Sequence, residues 1–413
     1  MKKSFILFCF IFAFLFSPKI FPLSEEGFAG LDVFTRVLQY IEEGYVEEVD
    51  EKELLRGAIR GMLETLDPHT LYMPPKLYKE LKADTTGVFG GIGVEITVQE
   101  DWVTVVAPLE GTPAEKAGIL SGDRIVKIDG VSTKSMDFSE TIQKMRGSKG
   151  SNIRLTLTRE TLKQPFDVTL KREVIRVPSV RMEVVENQFG IARISSFQER
   201  TAAELRKVVK TFSKESKPKG LILDLRNNPG GLLDEAVDVV DIFLKSGTIV
   251  TTESRNKEVI DKREAREEGT EPTYPLIILV NGGSASAAEI VAGALQDSGR
   301  GVILGTRTFG KGSVQSVIEL SDGSALKLTI ARYYTPKGRS IQAEGITPDI
   351  VVEPSLSKKK DDLFPRIREE NLKGHLDSTV KSEEAEEEVV ADYQKKIALD
   401  YLKSWDKFGQ QGK

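Results

Sequence analysis

The segment Asn281-Gly-Gly-Ser-Ala-Ser-Ala-Ala-Glu-Ile290 sets two serines where an apolar stretch, Leu276–Val280, passes into an alanine-rich helical one. A serine at a helix N-terminus lies among unpaired backbone N–H groups and the positive end of the helix dipole. Groups of that kind stabilise the oxyanion of acyl transfer. Ser284 and Ser286 are both candidate nucleophiles, and an ordinary N-cap would explain a serine here equally well. A nucleophilic serine needs a base. The chain has two histidines, His69 in a proline-flanked turn and His375 in a charged C-terminal stretch, and neither is placed to serve. His69 reads instead as a turn-capping or core residue. Lys311, in Gly305-Thr-Arg-Thr-Phe-Gly-Lys-Gly-Ser-Val-Gln315, is the better candidate, because it lies among glycines between two strand patterns. A lysine acts as a base only when burial draws its pKa down from about 10.4 toward neutrality. Its apolar neighbours Phe309 and Val314 favour that burial.

Three further features surround these residues. Gly305-x-x-x-x-Gly310-Lys311 follows a phosphate-binding loop for seven positions. Gly312 then stands where Ser or Thr should ligate Mg²⁺, and a strand-like alternation replaces the required helix, so the NTPase reading is disfavoured. Asn227-Asn-Pro-Gly-Gly231 follows the apolar strand pattern Gly220–Leu225. Such strand ends bind ligands in α/β sheets, and Gly230 or Gly231 is a candidate N–H donor to an oxyanion. Phe89-Gly-Gly-Ile-Gly-Val94 opens a strand-rich stretch, and a glycine loop of this kind presents consecutive N–H groups to a carboxylate.

The elements that must position these groups fall into blocks. A length of 413 residues implies two to three domains. With 58 basic and 63 acidic residues the net charge is −5, which argues against a nucleic-acid footprint. One cysteine (Cys9) and two histidines exclude an intrachain disulfide and zinc sites of Cys₄, Cys₂His₂ or His₃ type. No metal or cofactor is expected. Lys2 and Lys3 precede an apolar run, Phe5–Phe16, which reads as an export signal spanning 1–23. The run is short for a transmembrane helix, which needs about 20 residues. No small-x-small cleavage site follows, so anchoring through residues 4–16 stays open beside cleavage. Residues 25–83 show helical periodicity broken by Pro68, Pro74 and Pro75. Residues 84–172 form a compact strand-rich unit. Residues 173–354 alternate strands and helices, as in a sheet covered on at least one face. Residues 355–413 are a charged helical tail with an acidic run at Glu383–Glu388, read as a solvated appendage or docking arm.

Taken together and in order, several motifs identify a family. They are Leu66-Asp-Pro-His-Thr-x-Tyr72, Phe89-Gly-Gly-Ile-Gly, Gly122-Asp-x-Ile, Asp224-Leu-Arg-x-Asn-Pro-Gly-Gly231, Ser284-Ala-Ser-Ala-Ala-Glu289 and Thr308-Phe-Gly-Lys-Gly312. From about Leu31 to Val352 the chain resembles the carboxyl-terminal processing proteases, the tail-specific S41 family of Ser–Lys endopeptidases. The resemblance implies an α/β and α+β multidomain chain: an N-terminal helical region, a PDZ-like β-rich domain and a ClpP/crotonase-like α/β protease core. It implies Ser286 as nucleophile, Lys311 as general base and Gln315 as the residue that orients the lysine. The oxyanion hole would comprise Ala287 and the Gly230–Gly231 turn. Amides of Ile92, Gly93 and Val94 would take the substrate's C-terminal carboxylate. Ala288 stands where relatives often carry Ser, without consequence for the chemistry. Further implications are cleavage of exported proteins near their C-termini, location in the bacterial periplasm or on the outer face of the inner membrane, and self-association as a dimer. The rival reading is a non-catalytic PDZ scaffold that captures exported C-termini. Such a scaffold has no use for Ser286, Lys311 and Gln315 together.

Overall fold

The structure, a computed structural model, describes residues 24–134, 136–267, 274–354 and 392–411. The expected signal, Cys9, His375 and Glu383–Glu388 lie outside the described residues. The chain divides into two compact units that part between Tyr72 and Met73.

The first unit holds helices α1 (Glu25–Gly44) and α2 (Glu51–Glu64). Each begins at a side-chain cap: Ser24 Oγ accepts from the Gly27 N–H at 3.1 Å, and Asp50 Oδ1 from the Lys52 N–H at 2.9 Å. Acidic residues in both first turns complement the helix dipole. On α1, Phe28, Leu31, Phe34 and Val37 form an exposed apolar stripe at helical spacing. Ahead of the short strand β1 (Leu71–Met73) the chain reverses around Asp67. Its carboxylate accepts from the backbone N–H groups of His69 and Thr70 and from the Thr70 hydroxyl at 2.6–3.1 Å. The backbone of His69 is thus part of a turn, as its proline-flanked setting implies.

The second unit opens with α3 (Pro75–Thr86) and continues into the strand-rich domain. Its elements are β2 (Val88–Gly91), β3 (Val94–Gln99), β4 (Trp102–Pro108), α4 (Pro113–Lys116), β5 (Arg124–Ile128), β6 (Val131–Ser132), α5 (Phe138–Met145), β7 (Asn152–Thr158), β8 (Phe166–Lys171) and β9 (Glu173–Arg176). Strands β2 and β9 pair antiparallel where the chain enters and leaves the domain. The main sheet runs β3-β4-β5-β7-β8, which makes β3 an edge strand. Ile92, Val105, Ile125, Leu155 and Leu157 fill its core. The motif Gly122-Asp-x-Ile serves this packing. Asp123 is fully buried, accepts from the Leu120 N–H, and binds Arg159 through both carboxylate oxygens at 2.7 and 2.8 Å.

The α/β core follows, with β10 (Val180–Val185), β11 (Phe189–Ile194), α6 (Thr201–Glu215), β12 (Gly220–Asp224), α7 (Leu233–Asp241), β13 (Thr248–Glu253), β14 (Val259–Glu264), β15 (Leu276–Val280), α8 (Ala287–Asp297), β16 (Val302–Gly305), β17 (Ser313–Glu319), β18 (Ala325–Tyr334), β19 (Ile350–Val351) and α9 (Tyr393–Gln411). The central sheet runs β10-β11-β12-β15-β16-β19 and is parallel from β11 onward. Every residue of β12 and β15 is buried. That matches their unbroken Leu/Ile/Val runs, which belong to strands covered on both faces. Leu221, Leu223, Ile278 and Val280 meet Leu205 of α6, Val240 of α7 and Ile290 of α8 on one face. The alternate residues Ile222, Ile277 and Leu279 meet Ala398 and Leu402 of α9 on the other. A second, antiparallel sheet contains β17-β18-β13-β14. Helix α3 is tied to it, because Tyr78 Oη and Lys82 Nζ both donate to Glu319 Oε2 at the end of β17, at 3.1 and 3.2 Å. Those two donors hold the Glu319 carboxyl below its ordinary pKa.

Helix α9 corrects the expectation of a solvated tail. Ala398 and Leu402 are essentially fully buried, and the helix covers the second face of the sheet. Its start is fixed by Arg226, which binds Asp392 through both carboxylate oxygens at 2.7 and 2.8 Å while also holding Asp224. Burial opposes the charge on Arg226, but the two carboxylates outweigh it and raise its pKa. Burial likewise pushes Asp392 up. The hydrogen bonds from Arg226 and the Lys395 N–H overcome this, so Asp392 titrates below its ordinary value. A depressed carboxylate contributes stability above its unfolded pKa and loses it as pH falls through the folded one. Asp392→Asn is therefore expected to cost about 1 kcal/mol at pH 7; the difference from wild type should begin to shrink only as pH falls below the ordinary carboxylate value of about 3.9 and should vanish only below the depressed folded value. Leu402→Ala is expected to cost about 2–5 kcal/mol at any pH. Denaturant unfolding of both variants across pH checks the pair.

Candidate active site

Three loops leave the C-terminal ends of the adjacent parallel strands β12, β15 and β16, and they carry the Gly230–Gly231 turn, the Ser284–Ser286 turn and Lys311 respectively. In open α/β sheets this edge is where ligands bind. The first two loops are laced together. The Asn281 carboxamide donates to Asn227 Oδ1 and accepts from the Asn227 N–H, both at 2.9 Å. Ser284 is fully buried, and its hydroxyl donates to the Leu225 carbonyl at 2.8 Å and accepts from the Asn281 N–H. The Ala285 N–H donates to the Asn228 carbonyl at 2.9 Å. Of the two candidate serines, Ser284 thus has a structural task that uses its hydroxyl.

Ser286 differs. It is the N-cap residue of α8, with φ 55° and ψ −114°. N-cap residues ordinarily sit in the β region. A non-glycine residue at such angles costs on the order of 1–3 kcal/mol and persists only where its surroundings over-determine it. Two features hold it. Gly230 lies against it, and a Cβ on Gly230 would fall 2.8 Å from Ser286 Cβ and 3.0 Å from the Ala287 nitrogen. Only glycine permits that approach, at φ 101°. The Gly230 N–H itself donates to Asn228 Oδ1 at 2.9 Å. Gly231 continues the turn at φ 141°.

The second feature is Glu289, one turn into α8 and fully buried. Its Oε2 accepts from the backbone N–H groups of Ser286 and Lys311, each at 2.8 Å. Its Oε1 accepts from the Gly310 N–H at 2.7 Å and the Thr308 hydroxyl at 2.6 Å. The Thr308 hydroxyl also accepts from the Ile346 N–H. Four donors match the acceptor capacity of a carboxylate. One side chain therefore binds the Ser286 turn and the Lys311 loop to each other. Sequence reasoning quoted Glu289 as a motif residue but gave it no role. The signal available was a capping-box spacing, Ser286 followed three residues later by Glu289.

Lys311 is half-buried, and β17 begins two residues later. That strand, in place of a helix, removes the phosphate-loop reading. Gln315 lies on β17, but its amide nitrogen donates to Ser313 Oγ at 2.7 Å and to the Ser313 carbonyl at 3.2 Å. The structure thus brings Ser286, Ala287, Gly230 and the Lys311 backbone together, and directs the Gln315 amide to the start of its own strand.

The residues expected to take a carboxylate lie in the strand-rich domain. The Ile92 carbonyl accepts from the Ala114 N–H and the Gly93 carbonyl from the Leu109 N–H, both at 2.9 Å. In a trans peptide the N–H points opposite to the C=O. The N–H groups of Gly93 and Val94 therefore point away from the partners that hold those carbonyls, at the start of edge strand β3.

A covered parallel sheet with a strained serine at one helix N-terminus, joined to a PDZ-type domain, defines a class of serine hydrolase. Residues 188–352 match the model of peptidase family S41, residues 104–159 a PDZ domain and residues 23–76 the N-terminal domain of the activating protease CtpB. The chain is 44% identical over 362 residues to a carboxy-terminal-processing protease of Bartonella bacilliformis, covering 87% of this chain and 83% of that one. It is 38% identical over 334 residues to the carboxy-terminal processing protease CtpA of Bacillus subtilis, covering 80% and 70%. Among solved structures it is similar to a photosystem II D1 C-terminal processing protease, at 30% identity and TM-score 0.47, covering 80% and 94%. The chain belongs to peptidase family S41, among the carboxy-terminal processing proteases, and is a serine peptidase.

Glu289→Gln replaces one acceptor oxygen by a donor and leaves at least one backbone N–H facing it, even where the Thr308 hydroxyl turns to accept. It is expected to cost about 2–5 kcal/mol in stability and at least about 100-fold in peptidase activity. Thr308→Val removes one donor to Glu289 and the acceptor of the Ile346 N–H, and is expected to cost about 1–3 kcal/mol. Thermal unfolding and peptide turnover of the two variants measure the contrast.

Proposed function

We propose that this chain is a Ser–Lys endopeptidase that cleaves exported proteins near their C-termini, with Ser286 as nucleophile and Lys311 as base. The observation that carries the reading is the backbone of Ser286. Capping does not require φ 55° and ψ −114°, whereas a nucleophile displayed on a sharp strand-to-helix turn is commonly strained in this way. Neutral Lys311 takes the Ser286 proton as the hydroxyl attacks the scissile carbonyl. Lys311 then returns a proton to the leaving amine, and water releases the acyl group. Half-burial of Lys311 is in keeping with a base that must lose its charge.

The oxyanion would be held by the Ala287 N–H and by Gly231. The Gly230 N–H, committed to Asn228, serves the shape of the turn. Gln315 orients Lys311 through its carbonyl oxygen, its nitrogen being held by Ser313. The substrate tail adds to the free edge of β3 in the manner of β-augmentation, its terminal carboxylate meeting the amides of Ile92, Gly93 and Val94. The exposed stripe on α1 supports self-association as a dimer. The apolar run near the N-terminus supports export to the periplasm, with or without a membrane anchor. Among the described residues no helix is long and apolar enough to cross a membrane.

Ser286→Ala and Lys311→Ala are each expected to reduce cleavage of an unstructured C-terminal peptide by at least about 1000-fold with the fold intact. Ser284→Ala should lower stability and retain turnover. Mass spectrometry of products and circular dichroism check this. Normal turnover in Ser286→Ala with loss in Ser284→Ala would reverse the assignment.

A further inference from the structure

Phe309 is 63% exposed. An exposed phenylalanine forgoes the free energy of burial, and a loose loop would let the ring turn inward. This loop is held on both sides. The Phe309 N–H donates to the Ser284 carbonyl at 3.0 Å. Thr308 before it is buried, with its hydroxyl on Glu289. Gly310 after it donates its N–H to Glu289, and its carbonyl accepts from the Ala343 N–H at 2.8 Å. The ring is therefore displayed by the same framework that sets Ser286 and Lys311. The Phe309 backbone thus abuts the turn that carries Gly282, which is exposed. A Cβ on Gly282 would meet only the Arg307 carbonyl, at 4.0 Å. At Gly282 the turn before Ser286 therefore leaves open space next to the loop that displays Phe309, whereas a Cβ on Gly283 would fall 2.7 Å from Asn227 Oδ1.

We propose that Phe309 determines specificity at the scissile bond: it contacts an apolar substrate side chain flanking that bond, so that the substrates are C-terminal tails with an aliphatic or aromatic residue there. An extended tail passing over Gly282 would bring a side chain against the ring, and burying the ring with an apolar partner recovers the forgone free energy. This rests on Ser286 being the nucleophile. Because most of the ring is in solvent, its truncation removes little that holds the fold.

The test uses the full chain and a set of unstructured peptides with a common C-terminus. The residues flanking the cleavage site are varied among Leu, Phe, Ala, Gly, Ser and Asp, and kcat and KM are read by product mass spectrometry. The wild-type protein is expected to favour Leu or Phe over Gly or Asp by about 10–200-fold. Phe309→Ala should shrink that ratio to within about threefold, chiefly through KM, and Phe309→Leu should restore most of it. An unchanged ratio in Phe309→Ala, with cleavage intact, overturns the specificity role alone. Cleavage with the same preference by Ser286→Ala overturns the nucleophile assignment and the inference with it.

Discussion

The Glu289 carboxylate is the contact on which the site depends. It is fully buried, and both of its oxygens are used twice. Two donors come from the loop that carries Lys311, a third from the threonine of that loop, and the last from Ser286. Each loop is thus held to the other through this one side chain. A buried carboxylate with four donors is costly to disrupt, since each donor left facing an apolar interior loses its hydration without recompense. The same cost makes the arrangement rigid. Ser286 and Lys311, each on a loop held through backbone N–H groups by the same carboxylate, are thereby kept in register with one another.

The strain at Ser286 follows from this constraint. The angles φ 55° and ψ −114° would relax in a free turn. They are maintained because α8 is anchored in the core below, because Glu289 holds the Ser286 N–H from one side, and because the Gly230 turn fills the other with no side chain between. The fold supplies the rest through strand order. With β12, β15 and β16 adjacent and parallel, three loops separated by tens of residues meet at one sheet edge. The face opposite α6, α7 and α8 is closed by α9, which Arg226 ties to the loop leading into the Gly230 turn.

Much of this was legible in the residues. Unbroken apolar runs marked β12 and β15, and glycine- and serine-rich turns after them marked the site, because buried parallel strands and tight turns both leave strong local signatures. What escaped notice has common physical causes. Glu289 looks like a helix-cap glutamate until the Lys311 loop is seen to fold onto it, a contact with residues about 20 positions away. Helix α9 reads as a solvated charged helix because only a narrow stripe, represented by Ala398 and Leu402, faces the sheet while lysines and acids surround it. Strands β10 and β14 leave apolar as well as polar residues exposed, and β13 buries Ile249, Val250 and Thr252 without a strict alternation, so their patterns are weak. Gln315 is placed by its strand, but its amide follows the nearest hydroxyl, which spacing alone does not reveal.

The measurement closest to the central claim is amide hydrogen exchange of the full chain and of Glu289→Gln, followed by mass spectrometry on peptides covering 281–289 and 306–312. If the carboxylate couples the two loops, both segments lose protection together in the variant, while the strands β12 and β15 beneath them keep theirs. Loss confined to 281–289, with 306–312 as protected as in wild type, would show that the Lys311 loop holds its place without Glu289 and would contradict the account.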